Sequence, residues 1–167
     1  MNKGCSVLLW LTCVTIISGK AAAGVLHVPA DYPSIQAAID VAASKDTVLV
    51  SPGTYFENLD FKGKAITVTS AAGAEVTIID GQRAGAVVNF GNGEDADSIL
   101  AGFTLQNGYS TWGSGISLIG SSPTIVRNII QYNDEAGGYW GAGIGGWSSS
   151  QSSNKICSDT IEETASF

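Results

Sequence analysis

A dense acidic segment, Glu94-Asp95-Ala96-Asp97, is the first place in this chain where residue type and spacing suggest chemistry. Calcium takes about six to eight oxygen ligands, so its three carboxylates are candidate ligands. Asp80 or the Asp134-Glu135 pair can approach them if neighbouring repeats of the chain stack. A solvated acidic turn is the alternative interpretation of the same pattern.

Two further residues are candidates for acid–base catalysis. Arg83 and Arg127 are the two arginines of the chain, and Arg127 beside a calcium site could abstract the proton next to a uronate carboxyl, as a polysaccharide lyase requires. A glycoside hydrolase instead needs two carboxylates about 5–9 Å apart. Asp80 is a candidate for one of them, and the residues do not identify its partner.

Aromatic residues form a third candidate site. Five of them lie in or beside glycine-rich stretches between strands: Tyr109, Trp112, Tyr139, Trp140 and Trp147. Exposed aromatic faces stack on sugar rings, so these residues predict glycan binding. The alternative is that they close the loops against the body of the protein, with their polar atoms bonded to backbone.

Other catalytic constellations are excluded by composition. His27 is the sole histidine, and Cys157 is the one cysteine that follows residue 23. A Ser-His or Cys-His site therefore cannot be built, and cysteine spacing excludes both an internal disulfide and a zinc site after that point.

A repeat predicts the elements that must position these side chains. Gly113-Ser114-Gly115-Ile116 returns as Gly141-Ala142-Gly143-Ile144, 28 positions later. Self-similarity at a fixed spacing is typical of a solenoid, in which each repeat buries its apolar face against its neighbour.

The pattern of strands agrees with a solenoid. Short runs rich in valine, isoleucine and threonine, punctuated by glycine and asparagine, predict strands at 47–50, 65–69, 76–79, 86–90 and 99–105. Their even spacing favours parallel coils over hairpins. Asn107, Asn128 and Asn133 are expected to form side-chain ladders at corners, where asparagine tolerates left-handed backbone.

One amphipathic helix precedes these strands, at about residues 33–43. Asp31 or Ser34 can cap it, and Ile35, Ala38, Ile39 and Ala42 share one face. An open solenoid end exposes strand edges and an apolar cross-section. We therefore expect this helix to cover the N-terminal end.

The segments VPADYPSIQAAI (28–39) and DTVLVSPGTYFEN (46–58) resemble the opening of exported right-handed parallel β-helix proteins of the pectin-lyase-like superfamily. The resemblance extends over about residues 25–150. It implies an all-β fold, a right-handed single-stranded parallel β-helix with a short N-terminal capping α-helix. It does not fix the chemistry, since the superfamily includes lyases, hydrolases, esterases and adhesins.

Within this resemblance, Gly53-Thr54-Tyr55-Phe56-Glu57 is similar to the Gly-x-Tyr-x-Glu box of pectin methylesterases. Tyr55 and Glu57 thereby become catalytic candidates. The later boxes of that family, which carry its paired aspartates, glutamines and arginine, are absent. Tyr55 and Glu57 are therefore expected to form a corner of the first coil, with Glu57 bonded to nearby backbone.

The first 23 residues have the pattern of a cleaved signal peptide: Lys3, an apolar run from Val7 to Ile17, and Ala21-Ala22-Ala23. The protein is therefore expected to be secreted or located in the periplasm or cell envelope. The exported chain keeps six basic and fifteen acidic residues, a formal net charge of −9. This excess disfavours nucleic acid and anionic lipid as partners, and polyanionic sugars would need a bridging cation.

The repeat pattern stops after Ser150. Reading the codons of residues 151–161 one base earlier permits proline 28 positions after Pro123, Asn or Asp opposite Asn128, and Tyr or His opposite Tyr132. We therefore interpret residues 151–167 as an off-pattern tail, with a shifted reading frame as one hypothesis and a natural polar terminus as the other. The first hypothesis makes the chain a fragment of a longer β-helix.

Together these patterns predict a signal peptide (1–23), a β-helix domain (24–150) and the tail (151–167). The function they favour is a non-catalytic exported scaffold that binds a glycan or another surface. The alternative is a carbohydrate-active enzyme, of polysaccharide lyase or pectin esterase type, whose catalytic coils lie outside this chain. No cofactor is required by the first interpretation, and Ca²⁺ is the candidate for the second. Neither interpretation includes stable membrane insertion.

Overall fold

Short segments rich in β-branched residues form the strands of this protein, as their preference for extended backbone predicts. The computed structural model describes residues 22–137 and 141–147, together with the backbone of residues 155–157 and 160–161. Over these residues the chain winds through about 5 turns of a parallel β-solenoid.

The first part of the chain contains an N-terminal strand, one α-helix and two coils of three strands. In chain order these elements are β1 (Val25–Val28), α1 (Ile35–Val41), β2 (Thr47–Val50), β3 (Gly53–Tyr55), β4 (Leu59–Asp60), β5 (Thr67–Ser70), a 3₁₀ turn (Ala74–Val76), β6 (Thr77–Asp80) and β7 (Val88–Phe90).

The next two coils each gain a short extra strand, and a further pair of strands follows them. These elements are β8 (Ile99–Ala101), β9 (Thr104–Gln106), β10 (Tyr109–Ser110), β11 (Ile116–Ile119), β12 (Thr124–Val126), β13 (Ile129–Ile130), β14 (Asp134–Glu135), β15 (Ile144–Trp147), β16 (Lys155–Cys157) and β17 (Thr160–Ile161).

Equivalent strands of successive coils stack into three long sheets. Sheet A has the order β1-β2-β5-β8-β12-β16, sheet B β3-β6-β9-β13-β17 and sheet C β4-β7-β11-β15, while β10 pairs with β14. The predicted parallel β-solenoid is confirmed. The single strand predicted over 99–105 is wrong, because Gly102, at φ +77°, turns the chain from sheet A to sheet B between β8 and β9.

Apolar side chains stack in register inside the solenoid. In sheet A, Val48, Val68, Leu100 and Ile125 lie on successive strands, and all four are fully buried. Burial of each such side chain stabilises the fold by about 1.5–3 kcal/mol. The core therefore runs continuously from coil to coil, which explains why the individual strands can be so short.

The predicted 28-residue repeat is confirmed in sheet C, where Ile116 pairs with Ile144. In sheets A and B the same two coils are 25 residues apart, since Ile99 pairs with Thr124 and Thr104 with Ile129. The loop between sheets B and C is therefore three residues longer in the fourth coil than in the third.

Helix α1 covers the N-terminal end of the solenoid, as predicted. Ile35, Ala38 and Ile39 are fully buried, and the Ser34 hydroxyl caps the helix by accepting from the Ala37 N–H at 3.2 Å. Asp31 does not cap the helix. Its carboxylate accepts from the His27 N–H at 2.9 Å, on β1.

Two charged side chains from the first coil hold the ends of this helix. The Glu57 carboxylate accepts from the Ile35 and Gln36 N–H groups, each at 2.9 Å. At the other end, the Lys64 ammonium donates to the carbonyls of Ile39, Asp40 and Ala42 at 2.7, 2.8 and 3.0 Å. Both charges oppose the helix dipole, and they satisfy backbone groups that have no partner within the helix.

The predicted asparagine ladders are wrong, because the amides bond to backbone of the preceding coil. Asn128 donates to the Leu100 carbonyl at 3.1 Å and accepts from the Phe103 N–H at 3.0 Å. Asn133 does the same with Leu105 and Gly108. Both amides are buried, so these bonds stitch one coil to the next at the bends where ladder hydrogen bonds are interrupted.

Candidate functional site

A row of polar side chains marks the place where the strands of sheet B end. Asp80 closes β6 and lies in register with Gln106, the last residue of β9, while Gln131 follows β13 directly. The Gln106 amide donates to Asp80 at 3.0 Å, and the Gln131 amide donates to the Gln106 carbonyl oxygen at 3.4 Å. Hydrogen-bonding groups from three coils therefore form one line at this corner.

The Asp80 carboxylate anchors this row as an anion. Burial by itself raises the pKa of Asp80, but hydrogen bonds from Gln106, the Gln82 N–H and Asn107 outweigh it and hold the pKa below its ordinary value. A folded-state pKa below the unfolded value stabilises the protein above the ordinary aspartate range, near pH ~3.9. That stabilisation is lost as the pH falls through the lowered pKa.

We expect Asp80→Asn to reduce the acid sensitivity of the fold. Urea unfolding at a series of pH values between 6 and 3 measures it, since the parent should lose stability below the ordinary aspartate range more steeply than the variant. Equal slopes in the two proteins would show that this carboxylate does not couple folding to pH.

The backbone turns sharply just after this row. Gln82, Arg83, Asn107 and Tyr132 all have positive φ, between 50° and 59°. Left-handed backbone lets the chain bend from sheet B towards sheet C within a few residues, at a steric cost that the surrounding hydrogen bonds must offset. The prediction of left-handed asparagine is right for Asn107, whereas in the next coil the left-handed residue is Tyr132, which precedes Asn133.

An arginine from the second coil links the two coils above it at this corner. The Arg83 guanidinium lies 4.6 Å from the centre of the Tyr109 ring and forms an ion pair with Asp134. Tyr109 and Asp134 are register partners in the β10–β14 pair, so their side chains point to the same side. One face of the Tyr109 ring is thereby covered by a cation, which fixes the orientation of the ring.

Exposed aromatic side chains surround this contact. Tyr109 is 40% exposed, Trp112 44% and Tyr132 55%. We call Arg83, Tyr109, Trp112 and Tyr132 the corner strip. Tyr132 was not identified from the sequence, although its position directly after an apolar strand and before an asparagine matches that of a corner residue.

The remaining predicted aromatic residues are not part of the corner strip as described. Trp147 ends β15 opposite Ile119, at the far end of sheet C from the loop that carries Trp112, and is 61% exposed. Tyr139 and Trp140 lie outside the described residues. The expected alignment of Tyr109 with a second aromatic residue is replaced by its pairing with Asp134, because the β10–β14 register is offset by 25 residues.

Tyr55 and Glu57, the candidates from the esterase-like box, lie beside the cap helix. The Tyr55 hydroxyl donates to the Ser51 carbonyl at 2.9 Å. Both oxygens of Glu57 are engaged by the helix N-terminus, which confirms the expected bonding to backbone. This arrangement leaves the carboxylate no oxygen oriented for proton transfer to a substrate.

The acidic segment that suggested calcium does not form a ligand cluster. Glu94 points inward and is 2% exposed, where its carboxylate accepts from the N–H groups of Gly63 and Asn92 and from the Ser121 hydroxyl. Asp95 and Asp97 are exposed. Within the described residues, no group of three or more acidic, histidine or cysteine side chains is arranged to hold a metal ion.

Arg127 lies at a different corner, between sheets A and B. Its φ is +56°, and with Asn128, Ile129 and the segment 72–76 it lines an open cleft of about 340 Å³. Arg127 and Asp80 therefore occupy separate corners of the solenoid, and the four catalytic candidates do not meet in one site.

Comparison of the chain with protein-family models and with curated proteins found no match. Within the described residues, no helix has the length and apolar character needed to cross a bilayer.

Proposed function

We propose that this protein is an exported β-solenoid scaffold that binds glycans at the corner strip. The observation that carries the proposal is the placement of three exposed aromatic side chains from consecutive coils beside a row of amides and a fixed arginine. Aromatic faces contribute apolar stacking, and the neighbouring amides offer both donors and acceptors to sugar hydroxyls.

The spacing of the coils suits an extended chain ligand. Strands in a sheet lie ~4.8 Å apart, so Tyr109 in the third coil and Tyr132 in the fourth are offset by about that distance along the solenoid axis. Gln106 and Gln131 follow the same progression in the adjacent row. A glycan that runs along the axis would therefore meet similar groups in each coil.

The corner strip is also rigid, which limits the entropy lost on binding. Arg83 holds Tyr109 from below, as described above. The Ser114 hydroxyl accepts from the Ser110 N–H at 2.9 Å and donates to the Asp134 carbonyl at 2.6 Å. The loop that carries Tyr109 and Trp112 is thus tied to the next coil.

Export enters the proposal from the sequence of residues 1–23, whose basic start, apolar run and small-residue end are typical of a cleaved signal peptide. An extracellular or cell-envelope location would give the protein access to polysaccharides. Mass spectrometry of the N-terminus after expression with export would test it, with a first residue close to Gly24 as the expected result.

Trp112→Ala tests the binding site directly. A glycan array identifies a ligand, and titration calorimetry then compares the parent with Trp112→Ala and Trp147→Ala. We expect Trp112→Ala to weaken binding about tenfold or more, as loss of a central aromatic contact does. Trp147→Ala, which removes an exposed tryptophan at the other end of sheet C, should leave the affinity unchanged.

Two results would contradict the proposal. One is the absence of any retained glycan, and the other is a ligand whose affinity is the same for Trp112→Ala and the parent. A larger loss for Trp147→Ala than for Trp112→Ala would move the site to the end of sheet C.

A further inference from the structure

The charges around the corner strip differ from those of the rest of the solenoid. Between the strands of sheet B and those of sheet C, the only basic residue in the chain is Arg83. The other cations of the described coils lie at the remaining corners: Lys45, Lys62 and Lys64 between sheets C and A, and Arg127 between sheets A and B.

The charge of Arg83 is already compensated. Its guanidinium is paired with the Asp134 carboxylate and lies against the Tyr109 ring. A carboxylate on a ligand would have to displace Asp134 to form a bidentate pair with Arg83, and it would then lie beside the displaced side chain. Arg83 therefore positions the aromatic ring and is not available as an anion receptor.

The remaining charges at this corner are negative. Glu135 is exposed next to Asp134, and Asp80 lies at the base of the amide row, where hydrogen bonds keep it ionised. Three carboxylates thus oppose one arginine. Like charges brought together across an interface are destabilising, and this repulsion adds to the formal net charge of the chain, −7 overall.

From this arrangement we infer that the corner strip selects neutral glycans and discriminates against uronate polymers. The inference rests on the proposed glycan binding and names the class of sugar. Hydroxyl groups of a neutral sugar can bond to the amides of Gln106 and Gln131 and approach the carboxylates as donors, whereas a uronate offers only further negative charge to them. Calcium does not remove the conflict, since the described residues hold no cluster of carboxylates to share the ion with a uronate.

A matched pair of ligands tests the inference with the intact protein. Titration calorimetry in low salt with EDTA compares neutral hexasaccharides (cellohexaose, xylohexaose and mannohexaose) with the hexamer of galacturonic acid. The best neutral ligand should bind at least about tenfold more tightly than the uronate, a ratio that should shrink as salt screens the repulsion.

Variants of the charged residues then separate electrostatics from shape. Asp134→Asn retains a side-chain oxygen near Arg83 but frees the charge of the arginine, and Glu135→Gln removes an exposed charge without touching Arg83. Both should improve uronate binding several-fold relative to the parent. Glu75→Gln makes the same change in net charge on the 3₁₀ turn between sheets A and B, and it should have no effect.

The outcomes distinguish the inference from the function on which it rests. Uronate binding equal to or stronger than neutral binding, or uronate binding that appears only when calcium is added, overturns the inference while glycan binding stands. Equal effects of Asp134→Asn, Glu135→Gln and Glu75→Gln also overturn it. If neither ligand class nor any array glycan binds, the proposed function fails and the inference fails with it.

Discussion

Replacing Gly108 by alanine is expected to destabilise the protein by about 3 kcal/mol and to abolish binding at the corner strip. A Cβ atom at this position would overlap the carbonyl oxygen of Ser114 and lie 2.6 Å from its carbonyl carbon. The loop must then move away. That movement breaks the bonds from the Val87 N–H to Ser114 and from the Gly108 N–H to Asn133, which are 2.9 and 2.7 Å long.

Gly85→Ala is the matched control for this substitution. Gly85 lies on the same side of the solenoid, a Cβ atom there would have open space for 4 Å around it, and its φ is not left-handed. Its replacement should leave stability unchanged or slightly raised, because alanine restricts the unfolded chain. Urea unfolding of the three proteins measures the effect. Similar midpoints for Gly108→Ala and the parent would show that the corner loop is not packed as described.

Removal of the Lys64 ammonium is the second change with a large expected effect. Lys64→Met keeps most of the aliphatic stem but leaves three carbonyls at the end of α1 without their donor, and we expect a loss of about 2 kcal/mol. Helix α1 should loosen, which would expose the buried face formed by Ile35, Ala38 and Ile39. Because that face covers the solenoid end, the variant should also aggregate more readily.

Lys62→Met is the control, since Lys62 is a neighbouring lysine whose ammonium pairs with Asp40 on the exposed side of the same helix. Exposed ion pairs contribute little, so its unfolding midpoint should match that of the parent. Urea unfolding and light scattering compare the two variants. Equal behaviour of Lys64→Met and Lys62→Met would contradict a specific role for Lys64 at the helix terminus.

Much of the architecture could be predicted because solenoid physics leaves strong marks on a sequence. The recurrence of Gly-x-Gly-Ile predicted the sheet C register directly, since Ile116 and Ile144 must both point into the core. The amphipathic face of α1 likewise required an apolar surface to cover. Such patterns survive because every coil repeats the same burial problem.

The details of the corners could not be read from the pattern. The strand predicted over 99–105 was too long because Phe103 and Thr104 continue an apolar, β-branched run across a bend that a single glycine makes. Asn128 and Asn133 were assigned to ladders because asparagine recurs, whereas their amides bond to backbone that only the three-dimensional fold brings near. Local sequence does not encode the distance between coils.

The candidate site was predicted in part for the same reason. Tyr109 and Trp112 stood out as aromatic residues in glycine-rich loops, but the placement of Arg83 over Tyr109 depends on two coils whose loop lengths differ. Glu94 looked like one of three equivalent acids, although it alone turns inward to bond with backbone of neighbouring segments. Sequence composition identified the groups, and the solenoid register determined which of them meet.

Chemical-shift mapping of a bound neutral oligosaccharide is the most direct test of the central claim that the corner strip binds glycans. In ¹H–¹⁵N spectra of the protein titrated with its best array ligand, the largest shifts should fall on the backbone amides of Arg83, Tyr109 and Tyr132 and on the Trp112 indole. Shifts centred on Trp147 or on the cleft beside Arg127, or the absence of saturable shifts, would contradict the claim.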